Sequence, residues 1–198
     1  MQMDMVVEAW YASHPDDTRH LQALDKNISV SVHFTVLQPD NVTGYLAEVD
    51  LDEMLAVLNN GYLSTPFNFT LKSHRWIVNA TWALCNDTQT FKTEFKQGGN
   101  DELNVYFCDM LAYGQFVGLA QEPPIVLVPE LRWKDGVLLQ NPALNTKLYN
   151  TVQGTYVYDL AEMSQALIHE TGHWLGLFHT FQVSRERQTE RSSRYSWR

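Results

Sequence analysis

The sequence of 198 residues predicts a mixed α/β (α+β) fold built around one main domain. Two patterns carry this prediction. Segments in which apolar and β-branched residues alternate, as in half-buried strands, are interspersed with segments in which apolar residues recur every three or four positions, as in amphipathic helices. The hydrophobic share of 44% and the aromatic share of 12% supply enough side chains for a buried core.

The predicted elements follow one another between residues 28 and 173, after a polar, helix-compatible stretch of 26 residues. Strands are expected at 28–37, at 67–73 and 75–82, which a tight turn joins, at 103–107 and at 136–140, with a weaker strand pattern at 124–130. Helices are expected at 50–62, which ends at Asn60-Gly61, at 89–99, which ends at two glycines, and at 159–173.

The charge distribution excludes some classes of partner. The net charge of −9 argues against nucleic acid, because phosphate binding needs clustered Lys and Arg. No apolar run reaches the length of about 18 residues that a membrane span needs. Residues 183–198 contain five arginines and two glutamates, so that this segment carries +3 and residues 1–182 carry −12.

The signals for cellular compartment conflict. The first ten residues, MQMDMVVEAW, lack the basic and apolar regions of a signal peptide, which by itself predicts a cytosolic protein. Five N-x-[ST] sequons, where chance gives about one or two, point instead to secretion and glycosylation. They begin at Asn27, Asn41, Asn68, Asn79 and Asn86. Cys85 and Cys108 form either one disulfide or two buried thiols.

An H-E-x-x-H pattern, His169 to His173, lies inside the last predicted helix. Two histidines four residues apart share one helix face, so both imidazoles reach one metal ion at the ~2.0–2.1 Å of a Zn–N bond. Glu170 projects toward the same place and is positioned as a general base. Taken alone, the pattern is also compatible with surface histidines on an amphipathic helix.

The residues after this pattern favour a metal site. Gly176 is placed where the helix must end and suits a turn with positive φ, after which His179 arrives as a third ligand. Three histidines leave the fourth zinc position open, as in catalytic sites. Apolar neighbours are expected to anchor this helix and turn in a core (Leu167, Ile168, Leu175, Leu177 and Phe178), and the other histidines to be ordinary surface or strand residues (His14, His20, His33 and His74).

The stretch HETGHWLGLFHTFQ resembles the active-site helix of pappalysin-type metzincins, in particular the secreted extracellular metalloproteases of fungi. Weaker similarity covers about residues 27–182 through SVHFTVL, MLAVLNNGYLSTPFNFTL, NATW, LNVYF, GLAQEPP and DGVLL. The resemblance implies a metzincin-like zincin upper subdomain, with a twisted mixed sheet, two long helices and an edge strand that binds substrate. It further implies that Glu170 is the catalytic base and that the zinc ligands are His169, His173 and His179.

The chain departs from this family after the third histidine. Metzincins continue into a second subdomain with a methionine-containing turn beneath the zinc, whereas this sequence has no methionine after Met163 and no cysteine after Cys108. We therefore expect an incomplete metallopeptidase domain at 1–182, with the C-terminal Met-turn subdomain missing, and a disordered basic tail at 183–198. A natural short form with a functional basic tail is the alternative.

The predicted function is that of a secreted zinc-dependent endopeptidase, in which zinc-activated water hydrolyses peptide bonds with Glu170 as general base. The expected cofactor is Zn²⁺, the expected partners are protein or peptide substrates, and the chain is expected to be a monomer. The alternative function is a truncated, catalytically impaired zinc-binding remnant without protease activity.

Overall fold

The computed structural model describes residues 27–110, 117–120, 129–144, 149–150, 155–156 and 160–179. The polar, helix-compatible stretch of the first 26 residues and the basic tail 183–198 lie outside these residues, as does most of the predicted strand at 124–130. The end of that last segment belongs to a 3₁₀ helix, Pro129–Lys134, and not to a strand. No helix among the described residues is long and apolar enough to cross a membrane.

A five-stranded sheet forms the centre of the described structure. Its strands are β1 (Ile28–Gln38), β2 (Phe67–Val78), β3 (Leu103–Cys108), β4 (Gly118–Ala120) and β5 (Val137–Gln140). They lie side by side in the order β2-β1-β3-β5-β4. All neighbouring pairs are parallel except β4 and β5, which are antiparallel. Two short strands, β6 (Tyr149–Asn150) and β7 (Thr155–Tyr156), form a separate antiparallel ribbon.

Helices cover both faces of this sheet. The helices α1 (Glu48–Gly61) and α3 (Leu160–Trp174) pack against each other and share one core with the sheet, whereas α2 (Thr88–Phe95) lies over the opposite face. The inner strands are therefore buried on both sides, which explains why all six residues of β3 and the last seven of β1 are buried. This arrangement confirms the predicted mixed α/β fold.

α1 and α3 approach each other closely where α1 ends. A Cβ atom on Gly61 would lie 2.7 Å from Cδ1 of Ile168, so any other residue here would force the side chain of Ile168 to shift. The hydroxyl of Tyr62 donates a hydrogen bond to the main-chain carbonyl of Ile168 at 3.1 Å, and burial raises the pKa of Tyr62 to about 12. The residue before His169 is thus held from the neighbouring helix.

Two predictions about element boundaries were wrong. Residues 67–82 do not form two strands joined by a tight turn, because β2 is one strand paired with β1 along its whole length. The break in its sequence pattern is absorbed by a bulge at Lys72, which has no partner in the register of β1 and β2. The helix predicted at 89–99 ends at Phe95, since the amide of Gln97 bonds to the side chain of Asn104.

His33 lies in strand β1, in agreement with its prediction as a surface or strand residue, but the sequence did not indicate its burial or its polar partners. The residue is 3% exposed. Its Nδ1 lies 2.7 Å from the hydroxyl oxygen of Ser73, and its Nε2 lies 2.6 Å from a carboxylate oxygen of Glu102. Lys72, the bulged residue, pairs with the same carboxylate. The hydrogen bonds from His33 and Lys72 hold the pKa of Glu102 below its usual value. This network pins β1, the bulge of β2 and the start of β3 to one another.

Cys85 and Cys108 form a disulfide, which decides between the two alternatives that the sequence left open. It links the segment after the 3₁₀ helix Trp82–Leu84 to the end of β3 and lies in the core beneath α2. The two cysteines are 23 residues apart in sequence, so the bond closes a loop of moderate length in the unfolded chain.

Removing this disulfide is expected to lower the free energy of unfolding by about 3 kcal/mol. The unfolded chain then regains the conformational entropy that the closed loop had removed. The measurement is urea unfolding of the Cys85→Ser/Cys108→Ser double variant beside the unsubstituted chain. Dithiothreitol should move the midpoint of the unsubstituted chain and leave the variant unchanged. Equal sensitivity of both proteins to the reductant would contradict the bond.

Candidate metal and catalytic site

α3 presents two histidines of the predicted site on one face. His169 is exposed and His173 is half-buried, and their Nε2 atoms lie 3.1 Å apart because residues i and i+4 are one turn apart on a helix. The opposite side of the helix is packed into the core, as predicted for Leu167. The two imidazoles therefore project from a helix that the core holds in place.

The helix ends in a Schellman motif at the predicted glycine. Gly176 has a φ of 96°. Its amide donates to the carbonyl of His173, and the amide of Leu177 donates to the carbonyl of Gly172, each at 2.9 Å. This turn reverses the chain within a few residues and returns His179 to the face that carries the first two histidines.

The three Nε2 atoms converge on one point. Nε2 of His179 lies 3.2 Å from that of His169 and 3.0 Å from that of His173. A neutral imidazole nitrogen either donates or accepts a hydrogen bond, so at least two atoms of such a triangle must play the same role and repel. A shared cation removes this conflict. In tetrahedral zinc, Zn–N bonds of ~2.0–2.1 Å would place the nitrogens about 3.3–3.4 Å apart, close to the observed spacing.

Among the described residues, these three histidines are the one group of His, Cys, Asp or Glu whose donor atoms are close enough to share a metal ion. The donor set of three imidazoles suits a first-row divalent metal such as zinc better than magnesium or calcium, which prefer oxygen ligands. The residues present therefore fit the predicted metal.

The tautomer of His173 is set by the turn that follows it. Its Nδ1 lies 2.7 Å from the carbonyl oxygen of Leu177, which only accepts hydrogen bonds. Nδ1 must then carry the proton, and Nε2 is left with its lone pair directed at the common point. Sequence reasoning missed this contact, because a main-chain carbonyl has no residue signature beyond its position one residue after Gly176.

Glu170 lies between α3 and the edge strand β4. The residue is only 7% exposed, and burial raises the pKa of its carboxyl group. Electrostatic interactions with His173 and His179 and a hydrogen bond from the amide of Ala120 oppose this rise. A Cβ atom on Gly118 would lie 2.5 Å from Cγ of Glu170, so the glycine in β4 makes room for the glutamate. Sequence reasoning had not identified the role of either strand residue.

The strand β4 has one open edge among the described strands. The carbonyl of Val117 accepts from the amide of Gln140, on the side of β5. Because peptide groups alternate in direction along a strand, those of Gly118 and Ala120 face away from β5. The contact between Ala120 and Glu170 agrees with this direction. The open edge of the sheet and the glutamate therefore lie on the same side of the site.

A buried carboxylate fastens the end of α3 to the sheet. The indole Nε1 of Trp174 donates to Oδ1 of Asp135 at 2.9 Å, and the ammonium group of Lys96 pairs with Oδ2 at 2.7 Å. Asp135 is 1% exposed. Since Trp174 directly follows His173, this contact fixes the last turn of the helix and the point from which the chain leaves it.

The turn that carries Asp135 is itself held from α2. The buried ammonium group of Lys92 donates to the carbonyls of Lys134 and Gly136, at 2.9 and 3.3 Å. Burial lowers the pKa of Lys92 to about 7. The helix α2 thus helps to position the candidate site without touching it.

The structure brings together all four residues that the sequence predicted for the site, and their chemical roles stay predictions. The expectation that Leu177 and Phe178 anchor the turn in a core was wrong, because they are 49% and 52% exposed. The turn at Gly176 directs both side chains outward. His33 and His74 pair with glutamates elsewhere and do not join the site.

Comparison with known proteins gives curated relatives that are named extracellular metalloproteases. A protein of Arthroderma gypseum is 30% identical over 164 residues, which cover 83% of this chain and 52% of the relative. One of Arthroderma benhamiae is 32% identical over 78% of this chain and 49% of the relative. The chain therefore spans about half the length of the curated relatives it matches. The predicted resemblance to fungal extracellular metalloproteases is confirmed. No protein-family model matches the sequence.

Among solved structures, Tannerella forsythia promirolysin mutant E225A has a similar fold, with a TM-score of 0.55 at 15% sequence identity. The match covers 87% of this chain and 64% of the other. It supports the predicted metzincin-like arrangement of sheet and helices.

Two glycine substitutions in the motif are expected to change the free energy of unfolding in opposite directions. Gly176→Ala should lower the free energy of unfolding by about 1–2 kcal/mol and weaken zinc binding, because its positive φ is unfavourable for an L-residue. Gly172→Ala, whose Cβ would meet its nearest atoms at 3.6 Å, should raise stability by up to about 1 kcal/mol. Urea unfolding and zinc titration against a chromophoric chelator measure both effects. Equal stability of the two variants would contradict the positive-φ turn.

Asp135→Asn is expected to lower the free energy of unfolding by about 3 kcal/mol, because it leaves the ammonium group of Lys96 without its buried partner. The matched control is Lys72→Ala. It breaks the pair with Glu102, but Lys72 is half exposed and should contribute little. Guanidinium unfolding of both variants checks this, and a similarly small loss in each would show that Asp135 is not an anchor.

Proposed function

From its similarity to proteins named extracellular metalloproteases, we propose that this chain is a secreted zinc-dependent endopeptidase. One observation carries the proposal. Three imidazole nitrogens converge within 3.2 Å of one another beside a buried glutamate and the open edge of a β-strand. Metal, general base and a surface for an extended peptide are the three components that peptide hydrolysis at such a site requires.

His169, His173 and His179 would hold the zinc ion through Nε2. A bound zinc ion supplies Lewis acidity toward water and toward the carbonyl oxygen of the peptide bond. The hydrogen bond of His173 to Leu177 maintains the tautomer that binding needs. None of the free energy of zinc binding would therefore be lost in reorienting this ring.

Glu170 would act as the general base. Its carboxylate takes a proton from the attacking water and then delivers it to the nitrogen of the departing amine. The burial that raises its pKa makes the carboxylate a better proton acceptor, and the amide of Ala120 keeps it in a defined orientation. Gly118 allows this position, because a larger side chain in its place would displace Glu170.

The substrate would be a protein or peptide in extended conformation. The outward peptide groups of Gly118 and Ala120 continue the sheet, and an added strand pairs with such an edge through main-chain hydrogen bonds. Part of this hydrogen-bonding capacity is used by Glu170, so a peptide paired there lies directly beside the general base.

Secretion is part of the proposal. It is supported by the names of the relatives, by five sequons and by the disulfide between Cys85 and Cys108, a bond that forms in oxidising compartments. Glycosylation of the protein is proposed on the same grounds.

The proposed mechanism predicts that Glu170→Gln lowers kcat/KM for a fluorogenic peptide by about 10²–10⁴-fold, because the amide cannot accept the proton. Zinc stoichiometry, measured by atomic absorption, should stay unchanged, since Glu170 is not a ligand. Cleavage by the unsubstituted chain should also stop when a chelator removes the metal.

The matched control is Glu162→Gln, an exposed glutamate two turns earlier on α3, which should retain full activity. Zinc bound by the unsubstituted chain without any cleavage would contradict the endopeptidase and support the zinc-binding remnant. Cleavage that survives Glu170→Gln would contradict the role of the glutamate.

A further inference from the structure

Four of the five sequons fall in two pairs, one at each end of the ladder formed by β1 and β2. Asn27 directly precedes β1, and Asn68 is the second residue of β2, paired in register with Ser29. Asn41 lies three residues after the end of β1, and Asn79 directly follows β2. Positions spread over more than fifty residues of sequence are thus collected at two places.

The first pair is open to solvent. Asn27 and Asn68 are exposed, and so are the hydroxyl residues of their sequons, Ser29 and Thr70. Asn68 faces away from the core that its neighbour Phe69 enters, because side chains alternate along a strand. A large group on Nδ2 of either asparagine therefore meets no packed part of the described structure.

The second pair is also accessible. Asn41 lies in a turn whose amides at Val42 and Thr43 bond to Asp40, and Val42 is 82% exposed. Asn79 is half-buried, and its Oδ1 accepts from the amides of Thr81 and Trp82. Those bonds orient Asn79 through its oxygen and leave Nδ2, the atom that carries a sugar, outside them.

The strand β2, which runs between these two pairs of sequons, needs protection from pairing with another chain. β2 has 12 residues, about 36 Å, and is an outer strand of the sheet in the part of the chain that the structure describes. Its C-terminal half carries Trp76, Ile77 and Val78, which are only partly buried, Val78 being 50% exposed. A long outer strand with apolar side chains is a template for pairing with another chain.

We propose that N-linked oligosaccharides at Asn27 and Asn68, and at Asn41 and Asn79, cover the two ends of β2 and prevent this edge from pairing with another chain. The inference rests on the proposed secretion, because the sugars are attached in the secretory pathway. An oligosaccharyl group passes from a lipid pyrophosphate donor to Nδ2. Its C1–N bond forms, its C1–O bond to phosphate breaks, and Nδ2 loses one proton.

The same placement leaves the candidate active site free. β2 and β4 are the two outer strands of the five-stranded sheet, separated by β1, β3 and β5. At about 4.8 Å per strand, the protected edge is about 19 Å from the edge beside Glu170. One edge is therefore closed by sugars while the other stays open for a peptide.

Occupancy is tested on the whole chain, directed through a yeast secretory pathway by a host leader and carrying Glu170→Gln to prevent self-cleavage. Peptide-N-glycosidase F in ¹⁸O-water converts each occupied asparagine to labelled aspartate, which peptide mass mapping locates. We expect label at both ends of β2. If Asn27, Asn41, Asn68 or Asn79 carries no label, the proposal is overturned, and label at Asn86 in the same sample would show that the chain had been accessible to the transferase.

Shielding is tested with substitutions at the third sequon position. Thr70→Ala/Thr81→Ala removes the sugars from Asn68 and Asn79, whereas Thr70→Ser/Thr81→Ser changes the same residues and keeps both sequons. Light scattering should show severalfold faster aggregation of the alanine pair than of the serine pair when both come from yeast. Trimming the folded serine pair with an endoglycosidase should speed its aggregation at least to that rate, because trimming also acts on the sugars at Asn27 and Asn41, which the alanine pair keeps.

Equal aggregation of the two yeast proteins, or no effect of trimming, overturns the shielding role. The two variants made in bacteria carry no sugars and should aggregate alike, and a difference there would assign the effect to the residues themselves and overturn the proposal. Because every protein carries Glu170→Gln and the yeast proteins are directed by a host leader, these outcomes do not depend on whether the chain is an active peptidase.

Discussion

The buried carboxylate of Asp135 joins the sheet, the second helix and the helix of the candidate metal site. It accepts from Trp174 on α3 and pairs with Lys96, just after α2, while its own turn is held by Lys92. A buried charge of this kind is stable only when its partners remain in place, so the three elements are fixed relative to one another. The end of α3, and with it the path of the chain to His179, depends on this contact.

The site is completed at the edge of the sheet. β4 runs antiparallel to its neighbour, and its Gly118 and Ala120 determine where the carboxylate of Glu170 lies. Three short-range devices then prepare the imidazoles: the helical spacing of two histidines, the positive φ of Gly176 and the carbonyl of Leu177. Each of these devices acts over a single turn. Because the helix is packed against the core, together they hold the three imidazoles in one arrangement.

The two outer strands of the sheet differ in what lies beside their outer edges. Among the described strands, the edge at β4 has no further partner and faces the glutamate, whereas the edge at β2 is flanked by sequons at both ends. Both outer edges of a sheet need protection from unwanted pairing, because unpaired peptide groups form hydrogen bonds with other chains. In this protein the bulge at Lys72, with its charged network around His33, also disrupts the regular edge of β2.

The sequence by itself determined what is local. The helical spacing of His169 and His173, the turn at Gly176, the strand β1 and the helices α1 and α3 all follow from periods of two or 3.6 residues and from glycine at a helix end. Only the tertiary structure decided the disulfide, the union of 67–78 into one strand, the burial of His33 and the anchoring of Trp174 by Asp135. These features join residues far apart in the chain, and a pairing across the sheet leaves no periodicity in the sequence of either partner.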